Sequence, residues 1–146
     1  MEEKEEEKES EVSKAVREAV VKAVEKGEDI KEKVVEITRD AVKKALEGAE
    51  VTREKVESIA KGAMKGAIEG AWMAEVGAAE VTRGAAEGII DGTKQAGVKA
   101  ADFAEYAAEA ALDTAKEVGD KAVEVVKDVI KGFFGAVKEI LEQKKD

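Results

Sequence analysis

The side chains able to act as nucleophile, base or metal ligand are few in kind. The chain has no His and no Cys, so Ser10, Ser13 and Ser58 have no imidazole to draw off a proton, and no thiolate exists to attack or to hold a metal. No phosphate-cradling Gly-Lys-Ser/Thr loop and no calcium loop occurs. Glu and Lys are numerous, but on an amphipathic helix they form a solvated surface rather than a site. This inventory points away from an enzyme, and no cofactor or metal is expected.

Two other groups of residues have a spacing that asks for a physical reason. Gly62, Gly66 and Gly70 form one track of small residues and Gly84, Gly88 and Gly92 a second, offset by 22 residues, with Gly77 between them. Each Gly inside a helix costs roughly 1 kcal/mol relative to Ala, so seven are expensive unless close backbone approach between helices repays them. The competing reading is that they loosen the helix, with Gly92 to Gly97 as a turn. The aromatic residues are the other group. Trp72, Phe103, Tyr106, Phe133 and Phe134 could seat a helix in a lipid interface or fill a seam between helices; Phe133 reads as core, and Trp72 is left open.

The element that positions these residues is helix, and the evidence is an internal repeat. Steps of eleven from Val12 give Val12, Ala23, Val34, Ala45, Val56, Ala67, Ala78, Ile89, Ala100, Ala111, Ala122 and Phe133, all apolar. At 44% hydrophobic content twelve in a row has a chance of roughly 1 in 20,000, or about 1 in 2,000 over eleven phases. The second position is apolar in ten of twelve copies and the eighth in eleven. Acids hold the third position in nine copies, among them Glu25, Glu36, Glu69, Asp91 and Asp113. The sixth is basic at Arg17, Arg39, Lys61, Arg83, Lys94, Lys116, Lys127 and Lys138, and the eleventh at Lys22, Lys33, Lys44, Lys55, Lys99 and Lys121.

Eleven residues make three turns at about 3.67 residues per turn, close to the natural helix. Positions four, eight, one, five and two then form one apolar arc, the sixth and eleventh fall on its borders, and the third lies on the polar face. Basic residues at the border with acids at the polar centre match the pattern of helices that lie on lipid surfaces, where long basic stems snorkel. They equally match a solvated face with helix-stabilising pairs such as Glu36 with Arg39.

The order apolar, apolar, acidic, any, small, basic, acidic, in Ala111-Leu112-Asp113-Thr114-Ala115-Lys116-Glu117 and in Val34-Val35-Glu36-Ile37-Thr38-Arg39-Asp40, resembles the eleven-residue motif of group 3 late embryogenesis abundant proteins. The resemblance spans Val12 to Gln143. It implies a desiccation and stress protectant that gains helix on drying or on lipid and shields membranes or client proteins without catalysis. In that family the eighth position is usually Lys, whereas here it is Ala, Ile or Val in all copies but Thr52. The apolar face is wider as a result and calls for burial against another helix.

The expected fold is therefore all-α: long amphipathic helices of eleven-residue repeats, packed as a hairpin, a bundle or a right-handed coiled-coil oligomer. An acidic flexible arm over 1–11 precedes the repeat domain over 12–143, and a charged tail over 144–146 follows. Candidate bends are Gly27, Gly48, Gly92 to Gly97, Gly119 and Gly132 to Gly135. The net charge of -9 speaks against nucleic acid, whose affinity comes from clustered Lys and Arg. No secretory leader and no transmembrane segment is read, which makes a cytoplasmic location the expectation. The partners expected are further copies of the chain in a homo-oligomer, with lipid surfaces or client proteins. Three functions stand beside each other: a protectant that shields surfaces, a structural protein that self-assembles through its apolar stripe and glycine tracks, and, least favoured, a binding module that coats a hydrophobic particle such as a storage granule.

Overall fold

The structure, a computed structural model, describes residues 2–47 and 50–134, with side chains from residue 11 onward. It is all-helical. Seven helices follow in order among these residues: α1 (Glu2–Glu25), α2 (Ile30–Leu46), α3 (Arg53–Met73), α4 (Ala78–Gln95), α5 (Val98–Asp102), α6 (Ala104–Ala115) and α7 (Asp120–Phe133). The acidic stretch expected as a flexible arm is continuous in backbone with α1 from Glu2. The tail over 144–146 lies outside the described residues.

An unbroken repeat phase favours long continuous helices, yet the chain turns back on itself after α1, after α3 and after α6. A lone amphipathic helix would leave its apolar arc in water, whereas a return buries it against a neighbour. The first turn ends α1 in a Schellman arrangement, with the Gly27 amide donating to the Val24 carbonyl at 3.0 Å and the Glu28 amide to the Ala23 carbonyl at 3.1 Å. Gly27 takes the left-handed φ of 71° that this turn requires. The close of α3 repeats the pattern: the Glu75 amide donates to Trp72 at 3.2 Å and the Val76 amide to Ala71 at 3.0 Å. There the left-handed residue is Glu75, φ 58°, where Gly27, Gly97 and Gly119 hold the positive-φ positions at other breaks. Gly97 and Gly119 also stand at breaks, while Gly132 lies within α7. Gly48 and Gly135 lie outside the described residues.

The three hairpins stack. α1 packs along α3 and α2 along α4, α3 and α4 pack in turn against α6, α4 against α7, and α5 links the second hairpin to the third. The α3–α4 hairpin is thus the middle layer, covered on both sides. Its burial follows from this: Val56, Ile59, Met64, Ile89 and Ile90 are wholly enclosed, with Val16, Val20, Val34, Val42 and Leu46 from the first layer and Leu112 and Ile130 from the third. Nine residues of the first repeat column, from Val12 and Ala23 to Ala111 and Ala122, are buried, and the acids of the third column are exposed or half-buried.

Local signals close the elements. Thr52 caps α3, its hydroxyl accepting from the Lys55 amide at 3.2 Å. Buried Thr38, Thr93 and Thr114 donate to the carbonyls of Val34, Ile89 and Ala110 at 2.7, 2.7 and 2.9 Å, which lets a hydroxyl sit in an apolar face. The Thr82 hydroxyl is buried with no hydrogen-bond partner. Among the described residues no helix is long and apolar enough to cross a membrane.

Candidate functional site

The glycine tracks are where backbone meets backbone. A Cβ added at Gly66 would strike the Ser13 carbonyl, and one at Gly70 would lie 3.1 Å from the Arg17 carbonyl and 2.9 Å from Val20 Cβ. On α4, a Cβ at Gly84 would stand 3.0 Å from the Lys31 carbonyl, and one at Gly92 2.6 Å from the Arg39 carbonyl. At Gly88 it would strike the Thr38 hydroxyl and approach the Val35 carbonyl to 2.5 Å. The chain separation is constant, from 13 to 66, 17 to 70, 31 to 84, 35 to 88 and 39 to 92. Hence α1 runs parallel to α3 and α2 parallel to α4, in one shared register, with every fourth residue facing a glycine. Gly62 is buried in the same helix. Gly77 departs from the expectation of a packing glycine. It precedes α4 in an exposed turn, and an added Cβ there meets nothing within 4 Å.

The basic border residues divide between seams where helices meet and open surface. Arg17, Lys33, Arg39, Lys55, Arg83 and Lys127 are half-buried, while Lys22, Lys44, Lys61, Lys94, Lys99, Lys116 and Lys121 are exposed. Lys138 lies outside the described residues. Arg17 reaches Glu69 of α3 at 3.9 Å, and Ser13 donates to the same carboxylate at 3.3 Å. Arg83 of α4 pairs with Asp128 of α7 at 2.9 Å. Others pair locally: Lys33 with Glu28 at 3.5 Å, Arg39 with Asp40 at 3.4 Å, and Lys116 with Asp113 at 3.9 Å. Water screens such pairs, so each contributes about 0 to 1 kcal/mol. The border cations thus lie around a stack whose buried apolar residues face its interior.

Aromatic residues mark the joint between the second and third layers. The Lys94 ammonium stands 5.2 Å from the ring centre of Phe133 and 4.8 Å from that of Phe134. Phe133 is half-buried at the end of α7, so it belongs to the margin of the core. The Arg53 guanidinium lies 4.0 Å over Tyr106, which in turn meets Phe103 at 6.0 Å between centres. Arg53 also donates to Glu57 at 2.8 Å. That hydrogen bond, with the nearby carboxylates, holds the Arg53 guanidinium above its ordinary pKa. The Arg53–Glu57 pair is legible as an i, i+4 spacing, but its stacking on Tyr106 is not, because only the third dimension brings 53 beside 106.

An open recess of about 550 Å³ lies at the same end of the stack, lined by Glu50, Val51, Thr52, Arg53, Glu54, Lys99 and Phe103. Its two aromatic neighbours already carry the chain's own cations, Lys99 over Phe103 and Arg53 over Tyr106. Among the described residues no three carboxylates converge to hold a metal ion. Chemically this surface can form ion pairs and cation–π contacts. Comparison with family models, curated proteins and solved structures finds no match to this chain.

Proposed function

We propose that the protein is a non-catalytic helical module whose role is structural, a folded stack that meets its surroundings through a mixed-charge exterior. The observation that carries this reading is the occupancy of both glycine tracks within one chain. Gly66 and Gly70 receive α1, and Gly84, Gly88 and Gly92 receive α2, so the features that suggest self-assembly are already spent inside the fold. With the apolar arcs also turned inward, an oligomer would have to form through other surfaces.

A second reading, a stress protectant that shields membranes or client proteins, is favoured by the make-up of the core. Ala, Gly and Val supply most of the buried positions, and such small side chains bury less apolar area per residue than Leu, Ile or Phe. Layers held this way separate at lower cost, which would free amphipathic faces with their basic borders.

Circular dichroism of the full chain in dilute buffer and then with anionic vesicles, alongside its mass by light scattering, tests the choice. The structural reading expects high helicity, a cooperative unfolding transition and no change on adding vesicles. Low helicity that rises only with vesicles or on drying would remove it in favour of the protectant.

A further inference from the structure

From the unequal joints on the two sides of the middle layer, we infer that α5–α7 is a detachable cover that opens as a unit while α1–α4 stays folded. This rests on the folded stack proposed above. Three observations support it. The first is length. α6 has 12 residues and α7 14, against 21 in α3 and 18 in α4. α6, whose Tyr106 lies beside Arg53 at the start of α3, is nine residues shorter than α3. Trp72 and Met73 at the far end of α3 are left 59% and 66% exposed.

The second is the joint chemistry. The third layer shares the buried core through Leu112, Val126 and Ile130, and its polar ties are ones that water can reach: Arg83 to Asp128, which is 63% exposed, and Lys94 to the half-buried rings of Phe133 and Phe134. The first layer has, besides its share of that core, backbone seated on glycine at Gly66, Gly70, Gly84, Gly88 and Gly92, a close-packed fit that no glycine within α6 or α7 repeats. The third is the link. Gly97, at φ 132° with open space around it, leads into the five residues of α5, and the recess lined by Val51, Lys99 and Phe103 lies beside that link. A conformationally free residue next to unfilled space is where a layer can swing without breaking its own helices.

Opening of the cover would expose the apolar side of α3 and α4 while the first layer stays seated, and so present an amphipathic surface without unfolding the chain. That is a means of shielding another apolar surface which leaves the glycine-packed half intact.

Native-state hydrogen exchange of the full chain, at urea concentrations below the unfolding transition, reads this directly. The expected result is one shared opening for the amides of α6 and α7, with protection at least about tenfold lower than in α1–α4. Asp128→Lys, which sets two cations against each other at Arg83, should speed exchange in α6 and α7 by about threefold to tenfold and leave α1 and α2 unchanged. Lys94→Gln should act in the same direction and serves as a second variant at an exposed position. Exchange of all helices through a single transition, or of α1 and α2 ahead of α6 and α7, would overturn the cover. Absence of protection in every helix would overturn the folded stack itself, and the cover with it.

Discussion

The middle hairpin presents two faces that solve the same problem in opposite ways. Toward α1 and α2 it offers glycine, and the neighbouring backbones come so close that a methyl group has no room at Gly66, Gly88 or Gly92. Toward α6 it meets a helix rich in Ala and toward α7 one rich in Val, and the joint is finished at its margins by Arg83 with Asp128, Arg53 with Tyr106 and Lys94 with two phenylalanines. The first face depends on what is absent, the second on what is present. A glycine joint is therefore intolerant of single changes, whereas the weak polar contacts at the margin of the second joint can be lost one by one at small cost.

The largest effect should come from filling the first face. In Gly88→Ala the new methyl group meets the Thr38 hydroxyl, the Val35 carbonyl and the Arg39 amide nitrogen, and the last two are backbone held in α2. Ala gains about 1 kcal/mol of helix propensity over Gly, but forced overpacking costs more, so a net loss of about 2 to 4 kcal/mol is expected. Urea denaturation would show it as a lower midpoint. An unchanged midpoint would mean that α2 does not approach α4 closely.

Next in size is a defect in the middle layer that belongs to neither joint. Thr82 is fully buried on α4 and its hydroxyl has no partner, unlike Thr38, Thr93 and Thr114, which each bond back to the preceding turn. Replacement by Val keeps the shape and removes the orphaned group, so Thr82→Val should stabilise by about 1 to 2 kcal/mol. Thr38→Val in the same assay should not, because it deletes a made hydrogen bond. Equal shifts for the two variants would show that Thr82 finds a partner in solution.

How far these features could be read in advance differs between the two faces. The pairing of glycines at every fourth residue was visible as a pattern, because close approach leaves a periodic gap in the sequence. What the glycines receive was not visible, since a track on one helix does not name its partner. The helical class and the inward-facing first column follow from the eleven-residue spacing, which any long helix shares. The turns did not follow from it. Gly27 and Gly119 signal theirs, but the turn at 74–77 uses Glu75 in the left-handed region, where burying both sides of a hairpin outweighs a local cost of about 1 kcal/mol. The border Lys and Arg were legible as borders, while whether a border meets lipid, water or a neighbouring helix is decided only by the stack. The ring contacts of Arg53 and Lys94 join residues far apart in the chain and left no local trace.

Gly132 supplies the control for the glycine argument. It lies in α7 like the others in their helices, but an added Cβ meets nothing within 4 Å. Gly132→Ala should therefore stabilise, by about 0.5 to 1 kcal/mol, through helix propensity alone. Gly88→Ala and Gly132→Ala would then shift the urea midpoint in opposite directions. Shifts of the same sign would break the claim that the first face is special.

The smallest expected effect sharpens the second face. Lys94 on α4 sits between the rings of Phe133 and Phe134 and also donates to the Phe133 carbonyl at 3.5 Å. Exposed cation–π contacts are worth about 0.5 to 1 kcal/mol, and the long lysine stem gives part of that back in lost freedom. A double-mutant cycle of Lys94→Gln with Phe134→Leu separates the ring contact from the apolar burial of Phe134, which the leucine largely keeps. A coupling of about 0.5 kcal/mol is expected, and it should shrink only modestly in added salt because no full anion is involved. A coupling near zero would leave the apolar packing to hold the third layer by itself. One above about 2 kcal/mol would make this joint as demanding as the glycine joint, and the contrast between the two faces of the middle hairpin would then be lost.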